Sequence, residues 1–140
     1  MVMQTGQYLD SESILTFKEG LLGFEDIKKY RLIPIDNEIP FYFLREAESG
    51  GTQFIICDPF FFIPDYSIKY EKEIITELDA KDETDLRCFV IVNVSDSFEN
   101  MTVNLKSPII FNVNNMLARQ FVLFDLDYPV RHRLLSAAGR

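Results

Sequence analysis

The segment Phe41-Tyr42-Phe43-Leu44-Arg45 is the clearest β-strand signal in this chain. Successive side chains on a strand point to opposite faces, so a half-buried strand alternates in character along its length. The stretch 119–125 shows the same alternation. Similar segments recur between turn signals, at the spacing typical of a small barrel or sandwich. The predicted strands are residues 14–17, 30–35, 41–45, 53–57, 86–94, 101–105, 109–113 and 119–126, with a further strand possible near 3–9.

Helical periodicity is convincing only in residues 71–78, where Ile74, Ile75 and Leu78 share one face. A second, shorter helical turn is expected at residues 25–30. One short helix among about eight strands predicts a mainly β, small single-domain β-barrel-like fold, because a closed barrel removes exposed strand edges. We expect this domain to span residues 1–130 and a C-terminal tail to span residues 131–140.

Residues 57–66, here called the strap, read Cys57-Asp58-Pro59-Phe60-Phe61-Phe62-Ile63-Pro64-Asp65-Tyr66. Three consecutive phenylalanines on an extended segment cannot all face one core. The two prolines remove backbone donors, so the strap is predicted to be an edge strand or an extended connection. Either protein covers both of its faces, or part of its aromatic surface is left for a partner.

The chain is acidic, with a formal net charge of -8 and an isoelectric point near 4.6. This charge disfavours direct nucleic-acid binding and favours a basic partner. Residues 65–85 hold eight acidic residues against three lysines, a net charge of -5, directly after the strap. Two interpretations stay open for this stretch. It is either the solvated face of a helix and its loop, or an electrostatic guide for a basic partner.

The cellular compartment is predicted from the cysteines and from the N-terminal residues. Cys57 and Cys88 each lie in an apolar stretch, so buried, reduced thiols are favoured over a disulfide. The first residues show no basic and apolar pattern of a signal peptide, and no apolar run is long enough to span a bilayer. We therefore expect a cytoplasmic protein that does not bind membranes.

Catalytic and cofactor motifs are weak throughout the sequence. The single histidine, His132, belongs to the predicted tail. A general base needs a fixed position close to its substrate, and a tail does not provide one. No glycine-rich phosphate loop or nucleophile elbow is present in the sequence. Asp125, Asp127 and His132 could form a metal site, which gives the alternative of a small β-barrel ligand-binding or metal-binding protein or enzyme. The favoured interpretation is a protein without catalytic activity or cofactor.

Four sequence blocks, in order, resemble the flagellar assembly factor FliW family. Residues 14–26 are similar to its F-x-E-G-x-x-G-F-E opening, and residues 57–66 to its D-P-F-x-F-x-P-D-Y signature. Residues 101–112 match M-T-x-N-L-x-x-P-I-x-x-N and are followed by Gln-Phe-Val-Leu at 120–123; residues 127–132 form the fourth block. Together these blocks cover nearly the whole chain. Lys18, Leu22 and Arg133 stand where the family usually carries proline.

The resemblance implies a β-barrel-like, non-catalytic, cytoplasmic protein that switches between two protein partners. Members of the family bind flagellin before its secretion and, when free, bind the RNA-binding translational repressor CsrA at a surface apart from its RNA site. Binding of CsrA relieves repression of flagellin synthesis. For this chain we accordingly expect the partners flagellin and CsrA, no direct nucleic-acid or membrane binding, and a monomer when free.

Aromatic and apolar anchors usually dominate the affinity of an interface, while charges steer association. A single phenylalanine more often lies in the core than anchors a partner. The side-chain amide of an asparagine within a strand either holds a turn through hydrogen bonds or binds a ligand. The predicted partner-binding residues are Leu22, Phe24, Asp58, Phe60, Phe61, Phe62, Asp65, Tyr66, Glu71, Glu73 and Asn104.

Overall fold

The computed structural model describes residues 13–36 and 38–134, apart from the side chain of Phe98. The strand predicted near residues 3–9 lies outside these ranges. Two short helices, α1 (Pro59–Phe62) and α2 (Lys72–Glu77), accompany the strands. The strands are β1 (Ile14–Phe17), β2 (Lys29–Pro34), β3 (Phe41–Glu46), β4 (Gln53–Cys57), β5 (Leu86–Asn93), β6 (Thr102–Val103), β7 (Ile109–Asn112), β8 (Leu117–Gln120) and β9 (His132–Arg133).

Seven of these strands close into a barrel, which confirms the predicted fold class. Their order is β4-β3-β2-β1-β8-β7-β5, and pairing of β4 with β5 completes the ring. Only β1 and β8 pair in parallel; all the other pairs among the described strands are antiparallel. The long strand β5 also pairs with β6, and β6 with β9, so these two short strands extend the sheet beyond the barrel.

The core has two parts, one on each face of the sheet. The first fills the barrel, since all seven barrel strands contribute to it, with Tyr30, Phe17, Phe89 and Phe111 as its largest members. The second covers the outer face of β4, β5 and β7, where Tyr66 from the strap and Ile74 and Leu78 from the α2 region pack over Cys57, Cys88, Val90 and Ile110. The strap and α2 are therefore held on the outside of the barrel by apolar burial.

Several predicted elements differ from the observed ones. The strap is not extended, because Pro59–Phe62 forms a helical turn. The helical turn predicted at residues 25–30 is wrong: Lys29 and Tyr30 already belong to β2, which β1 and β3 fix on both sides. The strand predicted at 101–105 shortens to Thr102–Val103, and the strand predicted at 119–126 is instead found at Leu117–Gln120.

The segment assigned to the C-terminal tail contains an ordered strand. His132 and Arg133 form β9 and pair with Val103 and Thr102. Leu134, the next residue, is buried in the outer part of the core. Packing against β6 thus fixes the chain up to the last described residue.

The turn between β1 and β2 depends on a glycine in the left-handed region. Gly20 has φ of +74°, and a Cβ atom there would lie 2.6 Å from the Cα atom of Glu25. The turn is held by a hydrogen bond from the Leu22 N–H to Oε1 of Gln120, over 3.0 Å. Close packing of backbone on backbone leaves no room for a side chain at residue 20.

We expect Gly20→Ala to lower the free energy of unfolding by about 2 kcal/mol or more, since conformational strain and a steric clash add. Gly23→Ala is the matched control: its φ is +86°, but nothing lies within 4 Å of an added Cβ atom. It should cost about 1 kcal/mol from conformation alone. Equal losses for the two variants in urea denaturation would contradict the close contact at Gly20.

Candidate functional site

The strap forms its helical turn because its first residues are good helix starters. Oδ1 of Asp58 accepts a hydrogen bond of 2.9 Å from the Phe60 N–H, as an N-cap residue does. Pro59 occupies the first helical position, where its missing N–H costs nothing. The Ile63 N–H then donates to the Pro59 carbonyl over 2.8 Å and ends the turn.

This helical turn separates the three phenylalanines in space, because each helical residue rotates by about 100°. Phe61 is 59% exposed and Phe60 is 40% exposed. Phe62 is half-buried and packs edge-on against Phe41, with ring centroids 5.3 Å apart. Tyr66 is buried. Phe60 and Phe61 are thus presented outward on a support of buried rings.

Two tyrosines fix the far end of the strap. The Tyr66 hydroxyl donates a 2.9 Å hydrogen bond to the carbonyl of Leu105, and its ring lies 4.7 Å from that of Tyr128. The Tyr128 hydroxyl donates to the carbonyl of Ser67 and accepts from its N–H. Burial raises the pKa of Tyr66 far above its usual range, so this hydroxyl stays a donor at any physiological pH.

A groove of about 400 Å³ runs between the strap and the end of the chain. The strap supplies one wall, through residues 62–66. The other wall consists of Leu105, Tyr128, His132 and Leu134. Asp65 stands exposed at the rim of this largely apolar groove.

The acidic stretch after the strap keeps most of its charge uncompensated. Arg119 forms an ion pair with Glu77, and among the described residues none of the three lysines in 65–85 takes part in one. Two further carboxylates serve local turns, where Asp82 accepts from Thr84 and Asp85 from the Lys81 N–H. The remaining acids, exposed at the surface, are Asp65, Glu71, Glu73, Asp79 and Glu83.

Leu22 and Phe24 are exposed, at 56% and 42%, but they do not join the strap. Phe24 packs edge-on against Phe54, with centroids 5.0 Å apart, near the start of β4. The strap follows the end of that strand, about 10 Å further on. The structure therefore separates the predicted apolar anchors into two groups at opposite ends of β4.

The asparagines of the third sequence block hold local structure. Oδ1 of Asn104 accepts hydrogen bonds from the N–H groups of Lys106 and Ser107 and so closes a turn. Nδ2 of the buried Asn112 donates to the carbonyls of Leu78 and Asp79, at the C-terminal end of α2. A role of Asn104 in partner binding stays a prediction.

The alternative metal site finds no support in the geometry. Asp125 and Asp127 are exposed in the loop after β8, whereas His132 lies in β9. Within residues 13–36 and 38–134, no group of three or more histidine, cysteine or acidic side chains is placed to hold a metal ion. In the same ranges, no helix has the length and apolar character to cross a bilayer.

Both cysteines are free and buried, as predicted. Desolvation raises the pKa of each thiol well above its usual range.

Sequence reasoning missed the most exposed large apolar side chain among the described residues. Phe124 is 82% exposed, in the loop after β8. The sequence predicts a continuous strand over residues 119–126, and this prediction gives no reason to expect an exposed loop residue at Phe124. The strand instead ends at Gln120, and only the polar residues around Phe124 could have indicated a loop.

Comparison with known proteins gives a consistent result. A family model described as FliW protein matches residues 4–134. A flagellar assembly factor FliW of Alkaliphilus metalliredigens is 34% identical, over 97% of this chain and 87% of that protein. One of Clostridioides difficile is 37% identical, over 89% of this chain and 96% of that protein.

The fold agrees with a solved member of the same family. A crystal structure of the flagellar assembly factor FliW superposes with a TM-score of 0.79 and 32% sequence identity, covering 86% of this chain and 84% of that chain. Family model, relatives and fold all cover most of the chain. The chain belongs to the FliW family of flagellar assembly factors.

Proposed function

We propose that this flagellar assembly factor is a cytoplasmic, non-catalytic partner switch, monomeric when free. It binds flagellin, and when flagellin is absent it binds CsrA and antagonises its repression of flagellin translation. The observation that carries the proposal is the strap, which holds Phe61 exposed beside an acidic surface that the chain's own lysines do not neutralise. Membership in the FliW family supports the choice of these two partners.

The strap has the chemistry of a protein-binding surface. An exposed aromatic ring on a rigid support adds contact area at low entropic cost, and such rings dominate the affinity of many interfaces. Phe61 lies 5.0 Å from the ring of Phe62, which is itself packed on the core. The ring is therefore pre-organised before a partner arrives.

The charge of the chain favours an RNA-binding protein as partner but not RNA itself. An RNA-binding protein carries a positive field, and the exposed acids after the strap are attracted by that field. The net charge of -8 repels a nucleic acid. Docking of this chain on CsrA thus disfavours RNA on the same complex even when the two binding surfaces of CsrA are separate.

We expect Phe61→Ala to weaken binding to CsrA by about tenfold or more, because the variant loses the exposed anchor. Isothermal titration calorimetry with purified CsrA measures the change. Phe124→Ala is the control, since it removes an even more exposed ring outside the strap. The proposal for the strap is wrong if Phe61→Ala binds like the wild type, or if the control loses as much.

Phe62→Ala should act on stability instead. Its ring supports the strap through Phe41 and is half-buried, so we expect a loss of about 2 kcal/mol in the free energy of unfolding. Phe61→Ala should change this free energy by only about 0.5 kcal/mol. Guanidinium denaturation of both variants tests whether Phe62 supports the strap while Phe61 is free to anchor a partner. Equal losses in the free energy of unfolding would refute this assignment.

The switch predicts mutually exclusive complexes. A mixture of this chain, flagellin and CsrA should give two separate binary complexes on size-exclusion chromatography with light scattering. With flagellin in excess, CsrA should elute alone and should again bind labelled flagellin leader RNA. A stable complex of all three proteins would contradict the switch.

A further inference from the structure

The outer face of β2 and β3 carries half-buried side chains that no part of the described core covers. Residues alternate along these strands, and those between the outward positions fill the barrel. Ile33 lies directly opposite Phe43, and Arg31 lies directly opposite Arg45. All four are half-buried, and neither Ile33 nor Phe43 belongs to the barrel core or to the outer part of the core. These four residues, here called the arginine face, combine apolar surface with two positive charges.

The two arginines are an unusual cross-strand pair, because like charges directly opposite each other on neighbouring strands are destabilising. Among the described residues, neither arginine forms an ion pair. Nε of Arg45 donates to Oε1 of Gln53 over 2.6 Å, and its guanidinium lies 5.7 Å from the centre of the Phe43 ring. The Arg31 guanidinium has no hydrogen bond within the described part of the chain. A carboxylate between the two guanidinium groups relieves their repulsion.

The acidic residues near the pair do not supply that carboxylate. Glu46 follows Arg45 but lies opposite Tyr30, so its side chain points to the other face of the sheet. Its Oε1 accepts a hydrogen bond from the Thr52 N–H. The acids of the loop between β2 and β3 lie past the end of β2, more than about 10 Å along the strand from Arg31. The positive charge of the arginine face is therefore available to a partner.

We propose that the arginine face binds a segment of flagellin that carries a carboxylate beside apolar side chains. The carboxylate lies between the guanidinium groups of Arg31 and Arg45, where charge-assisted hydrogen bonds replace the repulsion. The apolar side chains of the segment cover Ile33 and Phe43 and remove their exposed surface from water. This inference rests on the proposed function.

Charge complementarity decides which of the two proposed partners this face fits. An RNA-binding protein such as CsrA carries a positive field, which two uncompensated arginines repel. A segment with a carboxylate is attracted instead. Fields are screened beyond about 8 Å at physiological salt concentration, so the two arginines outweigh the net charge of -8 at the point of contact. Flagellin is therefore the partner of this face.

The arginine face adjoins the strap, as a switch between two partners requires. Phe41, two residues before Phe43 on the same face of β3, packs against the ring of Phe62. Only β4 separates β3 from β5, and neighbouring strands lie about 4.8 Å apart. A helix is about 10 Å across, so a segment bound over Phe43 reaches the space beside the strap. Flagellin on this face and CsrA on the strap therefore collide.

Arg31→Glu tests the arginine face, because it reverses the charge of a side chain that has no hydrogen bond to lose. Affinity for flagellin, measured by isothermal titration calorimetry, should fall by about tenfold or more, since the carboxylate of the partner then meets a like charge. Arg131→Glu, at an exposed arginine just before β9, is the matched control and should lose less than about threefold. Equal affinities of Arg31→Glu and wild type, or an equal loss in the control, would overturn the proposal.

Stability separates binding from folding in this variant. Arg31→Glu replaces a repulsive pair by an attractive one opposite Arg45, so the variant should resist urea at least as well as the wild type. A clear fall in its urea midpoint would make Arg31 a structural residue and overturn the proposal.

Binding of CsrA gives the opposite expectation for the same variant. Arg31→Glu makes the chain more acidic, so its affinity for CsrA should stay within about twofold of the wild-type value or rise. If Arg31→Glu instead weakens CsrA binding tenfold and leaves flagellin binding unchanged, the assignment of flagellin to this face is wrong.

A small probe separates this inference from the proposed function. Sodium 4-phenylbutyrate, which joins a carboxylate to an apolar ring, should shift the amide NMR signals of Arg31, Phe43 and Arg45 when it is titrated into the wild-type protein alone. The same titration of Arg31→Glu should leave these signals in place. If flagellin fails to bind the wild type while the probe shifts these signals, the anion site stands and the proposed function falls. Absence of the shifts, or equal shifts in both proteins, overturns the site.

Discussion

The pairing of β4 with β5 is the contact on which the rest of the molecule depends. It closes the seven-stranded ring, with Cys57 opposite Val90, so each of the seven strands has a paired neighbour on both sides. The same pairing places the residues that follow Cys57 against the outer face of β5. Barrel closure thus positions the start of the strap, and contacts of Phe62 and Tyr66 position the rest.

Local chemistry and burial then divide the strap into parts with different tasks. Asp58 and Pro59 start the helical turn, Phe62 and Tyr66 attach it to the core, and Phe61 is left exposed. A rigid mount lowers the entropy that binding has to offset. The two sides of the strap also differ: a largely apolar groove faces β9, and a smaller cavity lined by Asp58 and Arg87 faces β5. One short segment therefore presents an exposed aromatic ring between an apolar and a polar side.

The barrel was predictable from the sequence because its strands carry a repeated pattern, whereas local conformations set by single contacts were not. Periodicity located β3 and β4 to within a residue, since one face of each strand is buried. The two prolines of the strap predict an extended segment because they break strands, but Pro59 next to the N-cap residue Asp58 instead starts a helical turn. Tyr66 is buried because it contacts Leu105 and Tyr128, which lie far away in the chain. No local sequence pattern predicts that Tyr66 is buried while Phe61 is exposed.

The clamp between Tyr128 and Ser67 has a consequence for biosynthesis. The strap leaves the ribosome some sixty residues before the tyrosine that holds its far end. During translation, the groove lacks one wall until β9 and Leu134 have emerged. A nascent chain therefore carries the phenylalanines of the strap without the tyrosine clamp and the second wall of the groove until residues 128–134 have been made.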